Sequence, residues 1–234
     1  MNNNLDKRKL RVDAVIFDLD GTLIDSTDVY FKIIRIVFEQ LGLPAISKTA
    51  FLYAIKDGGF DWNFILPNEL KKQKKEIIIK AREMIMDIYP DIFRQEVKLI
   101  LGADDLLKEL SAGGIRIGMV TSTPMKDMEI KLYPLKASDV VELFEVVITS
   151  DDAPRTKPAA DPLIECVKRL GIAMDKSVYV GDMRIDIRAA KAAGMKTISV
   201  LTGFEDYETL KTEHPDMIID SVADLRDTIH ITSP

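Results

Sequence analysis

The 234-residue chain reads as an α/β fold, a doubly wound parallel sheet with an all-helical insertion, and three observations carry that reading. The run Val12-Asp13-Ala14-Val15-Ile16-Phe17 is almost continuously apolar, as a strand buried on both faces of a parallel sheet must be. From Ala103 onward, helical and strand-like stretches alternate in the manner of βαβ units. Between those two regions, residues 27–95 show helical periodicity alone.

Taken in order, the first strand ends in Asp18-Leu19-Asp20-Gly21-Thr22-Leu23, where glycine signals a turn. Tyr30, Ile33, Ile34, Val37, Phe38 and Leu41 then recur with the spacing of an amphipathic helix, and Gly42 ends it. A helical stretch is expected around Phe51–Ile55, and a third stripe, Ile77, Ile78, Ala81, Met84, Ile85 and Ile88, runs to Pro90. Leu106, Leu107 and Leu110 mark a helix closed by Gly113-Gly114, and Ile115–Val120 reads as the next strand. Further strands fall at Val146–Ile148, Val178–Val180, Thr197–Val200 and Met217–Ile219. Residues 1–26 and 96–234 therefore make the α/β core, and residues 27–95 an insertion joined to it by two stretches of chain able to act as hinges.

Composition narrows the function. A net charge of −6 disfavours nucleic acid as partner, and the basic run at Lys71–Lys75 is expected to be a solvated helix face. With one cysteine there is no internal disulfide, and Cys166 falls on an apolar helix face with Leu163, Val167 and Leu170. His214 and His230 adjoin no motif, which disfavours imidazole metal sites and triads. No stretch has the length of a membrane span and the start lacks an apolar leader, so a cytoplasmic protein is expected, with monomer and dimer both open.

Chemistry gathers at four strand ends. Asp18 and Asp20 stand two apart at the first, where both carboxylates can address one volume and where open α/β sheets bind ligands. A helix cap would need one acid; a second fixed charge beside it calls for a positive group. The second end supplies the hydroxyls and amides of Thr121 and Ser122, suited to phosphate oxygens or to an ordinary helix cap. The third leads to Lys157, the fourth to Gly181-Asp182 and Asp186, the latter a first-turn residue or a ligand. Four carboxylates at one sheet edge require a cation, and oxygen donors without histidine or cysteine favour Mg2+.

These residues, Asp18-Leu19-Asp20-Gly21-Thr22, Thr121, Lys157 and Gly181-Asp182, resemble in order the four motifs of the haloacid dehalogenase (HAD) superfamily, with its Rossmann-like core, and the insertion resembles that family's small helical cap domain. Ala160 and Met183 stand where many relatives have proline and a hydroxyl residue, and neither removes a catalytic group. The resemblance implies a phosphoglycolate phosphatase-like, magnesium-dependent phosphatase acting on a small phosphorylated metabolite through an aspartyl-phosphate intermediate. It assigns Asp18 as nucleophile, Asp20 as acid and base, Thr121 and Lys157 as catalytic, and Thr121, Ser122, Lys157 and Gly21 as phosphate-binding. Asp18, Asp20 (through its backbone carbonyl) and Asp182 would hold the metal, with Asp186 orienting them. In the cap, the Lys56-Asp57-Gly58-Gly59 loop suggests either a substrate contact through Lys56 or an exposed turn. The alternatives are a phosphomutase of the same family acting on a sugar phosphate, and a non-catalytic phospholigand-binding protein.

Overall fold

A computed structural model describes residues 9–56, 58–70 and 73–231. Its strands in chain order are β1 Ala14–Phe17, β2 Ile24–Asp25, β3 Ile55–Lys56, β4 Gly59–Phe60, β5 Lys98–Leu99, β6 Arg116–Val120, β7 Val146–Ile148, β8 Ser177–Gly181, β9 Lys196–Val200 and β10 Met217–Ile219. The helices used below are α1 Thr27–Gln40, α2 Lys48–Ala54, α3 Trp62–Ile65, α4 Lys74–Glu96, α5 Ala103–Ala112, α6 Met128–Lys131, α7 Tyr133–Ala137, α8 Asp161–Leu170 and α9 Arg184–Ala193.

Six strands form one parallel sheet in the order β10-β9-β8-β1-β6-β7, so the expected doubly wound core is present. Strand β1 sits at its centre because its residues alternate between two cores and leave nothing for solvent. Val15 and Phe17 face a cluster containing Leu106, Leu107 and Leu110 of α5. Ala14 and Ile16 face the opposite one, with Leu163, Cys166 and Leu170 of α8 and Ala189 and Ala190 of α9. Helix α8 lies so close to β6 that a Cβ on Gly118 would stand 2.8 Å from the Cys166 sulfur, which places that cysteine in the core.

The order of strands decides where the site is. The chain leaves β1 toward β6 and β7, then returns to β8 on the other side of β1. Connections therefore diverge above the carboxyl ends of β1 and β8, opening the crevice in which such sheets bind ligands.

The insertion corrects the sequence reading in two places. Ile55, Lys56, Gly59 and Phe60 are not helical: β3 and β4 form a short antiparallel hairpin, Ile55 opposite Phe60 and Lys56 opposite Gly59, with Gly58 at a φ of +76° in the turn. Helix α4 does not stop at Pro90 but continues to Glu96, because Tyr89 and Phe93 bury rings against the core and their packing outweighs the lost amide hydrogen bond. Helices α1 to α4 enclose a cluster of their own, built on Val37, Phe38, Phe51, Trp62 and Ala81. The two connections to the sheet pair with each other, β2 antiparallel to β5. In the basic run, Lys74 and Lys75 open α4, whereas Lys71 and Lys72 lie outside the described residues, as does Asp57.

Candidate active site

Asp18 follows β1 directly, and its amide donates to the carbonyl of Val180 at 2.8 Å, which extends the parallel ladder one residue past the strand. Asp182 follows β8 in the same way. Lys157, from the loop after β7, reaches between them: its ammonium donates to Asp18 Oδ1 and to Asp186 Oδ1, each at 2.7 Å. The Tyr179 hydroxyl stands 3.1 Å from the same nitrogen and donates to the Val120 carbonyl. Asp186, in the first turn of α9, accepts the Met183 amide through its other oxygen at 2.9 Å, so the backbone aims it while Lys157 holds it. Thr121 follows β6 directly, buried, with its hydroxyl oxygen accepting the Thr123 amide at 3.1 Å.

Three carboxylates here face one ammonium. Burial, then the charges of Asp186 and Asp20, outweigh the attraction of Lys157 and push the Asp18 carboxyl up to about 7. Asp182 is driven well above the usual carboxylate range by burial first and then by Asp18 and Asp186. Burial lowers Lys157, but its two carboxylate partners prevail and hold it well above an ordinary lysine. Oxygens of Asp18, Asp182 and Asp186 lie within 4.8 Å of one another. An all-oxygen donor set with this much unrelieved charge fits a hard divalent cation.

Glycines set the position of Asp182. A Cβ on Gly203 would lie 1.8 Å from Asp182 Oδ2, and one on Gly21 would lie 2.5 Å from the same atom. Gly21 also needs its φ of +76°, and the Thr202 hydroxyl donates to its carbonyl at 2.7 Å. Its backbone thus backs Asp182 directly. Asp182 is held from the other side by the Phe204 amide at 2.8 Å and the Thr22 hydroxyl at 3.3 Å. Gly203→Ala is therefore expected to displace the carboxylate, costing about 1–3 kcal/mol of stability and weakening the binding of a divalent cation at least about tenfold. A melting temperature and a cation-binding isotherm both unchanged from wild type would refute it.

Asp20 belongs to a second cluster. Its carboxylate pairs with the ammonium of Lys131, a side chain only 3% exposed, and the same ammonium contacts the Tyr30 hydroxyl. Burial lowers Lys131 more than Asp20 raises it. Both clusters open into one cavity of about 400 Å³ between the sheet edge and the insertion, which Thr121, Ser122 and Asp127 also line. Its other wall is apolar, with Ile33, Phe51, Phe60, Ile85, Met86 and Phe204. Of the loop singled out in the sequence, Gly58 and Gly59 line this space. Lys56 is exposed, 3.4 Å from Asp61 and over the Phe64 ring.

Sequence reasoning thus named Asp18, Asp20, Thr121, Ser122, Lys157, Asp182 and Asp186, and missed Lys131, Gly203 and the aromatic wall. Lys131 carried one available signal, a charged residue beside Met128 and Leu132 in a short helical pattern.

A family model described as haloacid dehalogenase-like hydrolase matches residues 15–200. A phosphoglycolate phosphatase of Yersinia pestis is 31% identical over 224 residues, covering 94% of each chain. Among solved structures, one described as a predicted phosphoglycolate phosphatase from Haemophilus somnus 129pt has a TM-score of 0.80 at 23% identity, covering 93% of this chain and 98% of that one. A candidate beta-phosphoglucomutase from Thermotoga maritima has a TM-score of 0.69 at 22% identity, covering 92% of this chain and 97% of that one.

Proposed function

The chain belongs to the haloacid dehalogenase-like hydrolases and is a phosphoric monoester hydrolase, and from that premise we propose that it is a magnesium-dependent phosphatase working through an aspartyl-phosphate on Asp18. One observation supports this most: Asp18 and Asp186 converge on Lys157 at a cavity that Asp20 and Thr121 also line, with an oxygen of Asp182 within 4.8 Å of theirs. Phosphoglycolate, named for relatives near 30% identity, is the first substrate to try, and a cytoplasmic location suits such a metabolite.

An oxygen of Asp18 attacks phosphorus in line with the leaving oxygen, splitting one hard displacement into two easier ones. Asp20, facing the same cavity, gives the departing alkoxide its proton and then takes one from the water that opens the acyl phosphate. Lys157 offsets charge on Asp18 and on the transferring group, while the Thr121 hydroxyl and Ser122 hold its peripheral oxygens. Asp18, Asp182 and the backbone carbonyl of Asp20 would hold Mg2+, with Asp186 behind them; the ion supplies charge neutralisation that lets two anions approach. Residues 27–95 act as a cap over the core, moving on the paired β2 and β5 connections to exclude water.

A mutase would need a second phosphate site in this cavity. Among the described residues the cations lining it are Lys131 and Lys157, both paired with carboxylates, which favours hydrolysis. Release of inorganic phosphate from 4-nitrophenyl phosphate and from phosphoglycolate is expected with Mg2+ and is expected to fall to background with EDTA. No release from either, or release indifferent to EDTA, would overturn the reading.

A further inference from the structure

We propose that Lys131 is a positioning residue that holds Asp20 toward the leaving group and makes its proton transfer depend on the seating of the insertion; this rests on the reading of Asp20 as acid and base. Lys131 belongs to the core, on α6, yet its surroundings come largely from the insertion. Its ammonium lies 4.6 Å from the ring centroid of Tyr30 on α1, and 4.5 and 5.8 Å from those of Phe93 and Tyr89 on α4. Those rings also pack on one another, Tyr30 against Tyr89 at 6.3 Å and Tyr89 against Phe93 at 5.0 Å.

The energetics show why this arrangement is not an idle surface pair. Lys131 and Asp20 have side chains 3% and 19% exposed, so the ammonium has given up nearly all its water. What replaces that water is one carboxylate, one tyrosine hydroxyl and the faces of aromatic rings, with Asp127 as a further negative charge on the cavity wall. A lysine so confined has one geometry available, and it transmits that geometry to the carboxylate it holds. Asp20 itself immediately precedes a turn and is bridged to Ile24, the first residue of β2. Its backbone is therefore joined to the connection on which the insertion is hung, and its side chain to a lysine clasped by the insertion's helices. Moving α1 and α4 away would withdraw the Tyr30 hydroxyl and three rings from Lys131 together, and the freed, resolvated lysine would no longer fix the Asp20 carboxylate in one place.

A merely structural ion pair and a positioning pair differ in how their loss depends on the leaving group. For an alkyl phosphate the alkoxide must be protonated as it leaves, so phosphoryl transfer to Asp18 needs a correctly placed Asp20; for 4-nitrophenyl phosphate the stabilised phenolate leaves without help. The quantity kcat/KM reports events through that first transfer and is blind to the later hydrolysis that both substrates share. Lys131→Met keeps length and apolar volume, Tyr30→Phe keeps the ring and removes only the hydroxyl, and Lys131→Arg keeps the charge. In the full-length enzyme with saturating Mg2+, Lys131→Met is expected to lower the ratio of kcat/KM for glycerol 3-phosphate to that for 4-nitrophenyl phosphate by about 10²-fold. Tyr30→Phe should lower it severalfold, and Lys131→Arg should restore it to within about tenfold of wild type.

Asp20→Asn is the control that separates the inference from the reading beneath it. If Asp20→Asn shifts the ratio and folded Lys131→Met and Tyr30→Phe leave it at the wild-type value, the positioning role is refuted while the acid and base reading stands. If Asp20→Asn itself leaves the ratio unchanged, that reading falls and the role of Lys131 falls with it. Equal losses on both substrates in Lys131→Met, with the fold intact by circular dichroism and Tyr30→Phe at the wild-type ratio, would reduce the pair to a structural one.

Discussion

Asp18→Asn is expected to lower phosphate release by about 10⁴-fold or more, the scale on which enzymes respond to loss of their nucleophile. The amide keeps the shape and the hydrogen bond to Lys157 but cannot form the acyl phosphate. The same substitution is expected to stabilise the protein without metal. Burial pushes the Asp18 carboxyl from 3.8 to about 7, so between those pH values the native state binds a proton that the unfolded chain has lost. Metal-free wild type therefore loses stability from this source as pH rises through that window, and Asp18→Asn lacks that contribution. The gap between their melting temperatures should widen from pH 4 to pH 7 in EDTA. Wild-type, Mg2+-dependent turnover by a variant purified free of contaminating phosphatase would show that Asp18 is not the nucleophile.

The largest effect on stability is expected from Lys157→Met. Removing the ammonium leaves Asp18 and Asp186, 10% and 1% exposed, without their shared partner. Breaking a buried pair by deleting one member costs about 3–5 kcal/mol, or roughly 6–20 °C in melting temperature for a chain of this size. The Lys157 contribution in wild type is fully present below pH 10.5, because its folded pKa is raised, so wild type loses nothing from this source across the range to be tested. In the variant the deficit should be greatest at pH 8 and shrink toward pH 5, where Asp18 takes a proton and no longer needs a cation. A melting temperature within about 2 °C of wild type at pH 8 would mean that the ammonium is not the counter-charge that the geometry makes it. Activity should fall as well, since in the proposed mechanism the same ammonium offsets charge on the transferring group.

Both variants act on residues that the sequence exposes, and the reason is local. A catalytic group at the carboxyl end of a parallel strand is preceded by an apolar run and followed by a turn, so Asp18, Thr121 and Asp182 each stand where a readable pattern breaks. Lys157 and Asp186 lie a few residues further along the same connections. The glycines beside Asp182 are different. Gly203 is separated from Asp182 by 21 positions and is required because its Cα lies against that carboxylate, a contact that no pattern near either residue reports. Pro90 misleads for a related reason: a local rule stops the helix there, and burial of Tyr89 and Phe93 carries it on to Glu96. The β3–β4 hairpin is two residues per strand, too short for any periodicity to register.

Period and punctuation in the sequence by themselves determined the α/β core, the helical insertion, and the acids and lysine that end its strands, because burial on both faces of a parallel sheet leaves a strong local signature. Only the tertiary structure decided that each acid of the first motif has its own lysine, Asp18 with Lys157 and Asp20 with Lys131. Lys131 lies 111 positions from Asp20, in a short helix like many on a protein surface, and it is buried only because α1 and α4 close their aromatic rings over it. Desolvation and charge pairing at that range depend on where the fold brings chain segments together, and no window of neighbouring residues contains that information.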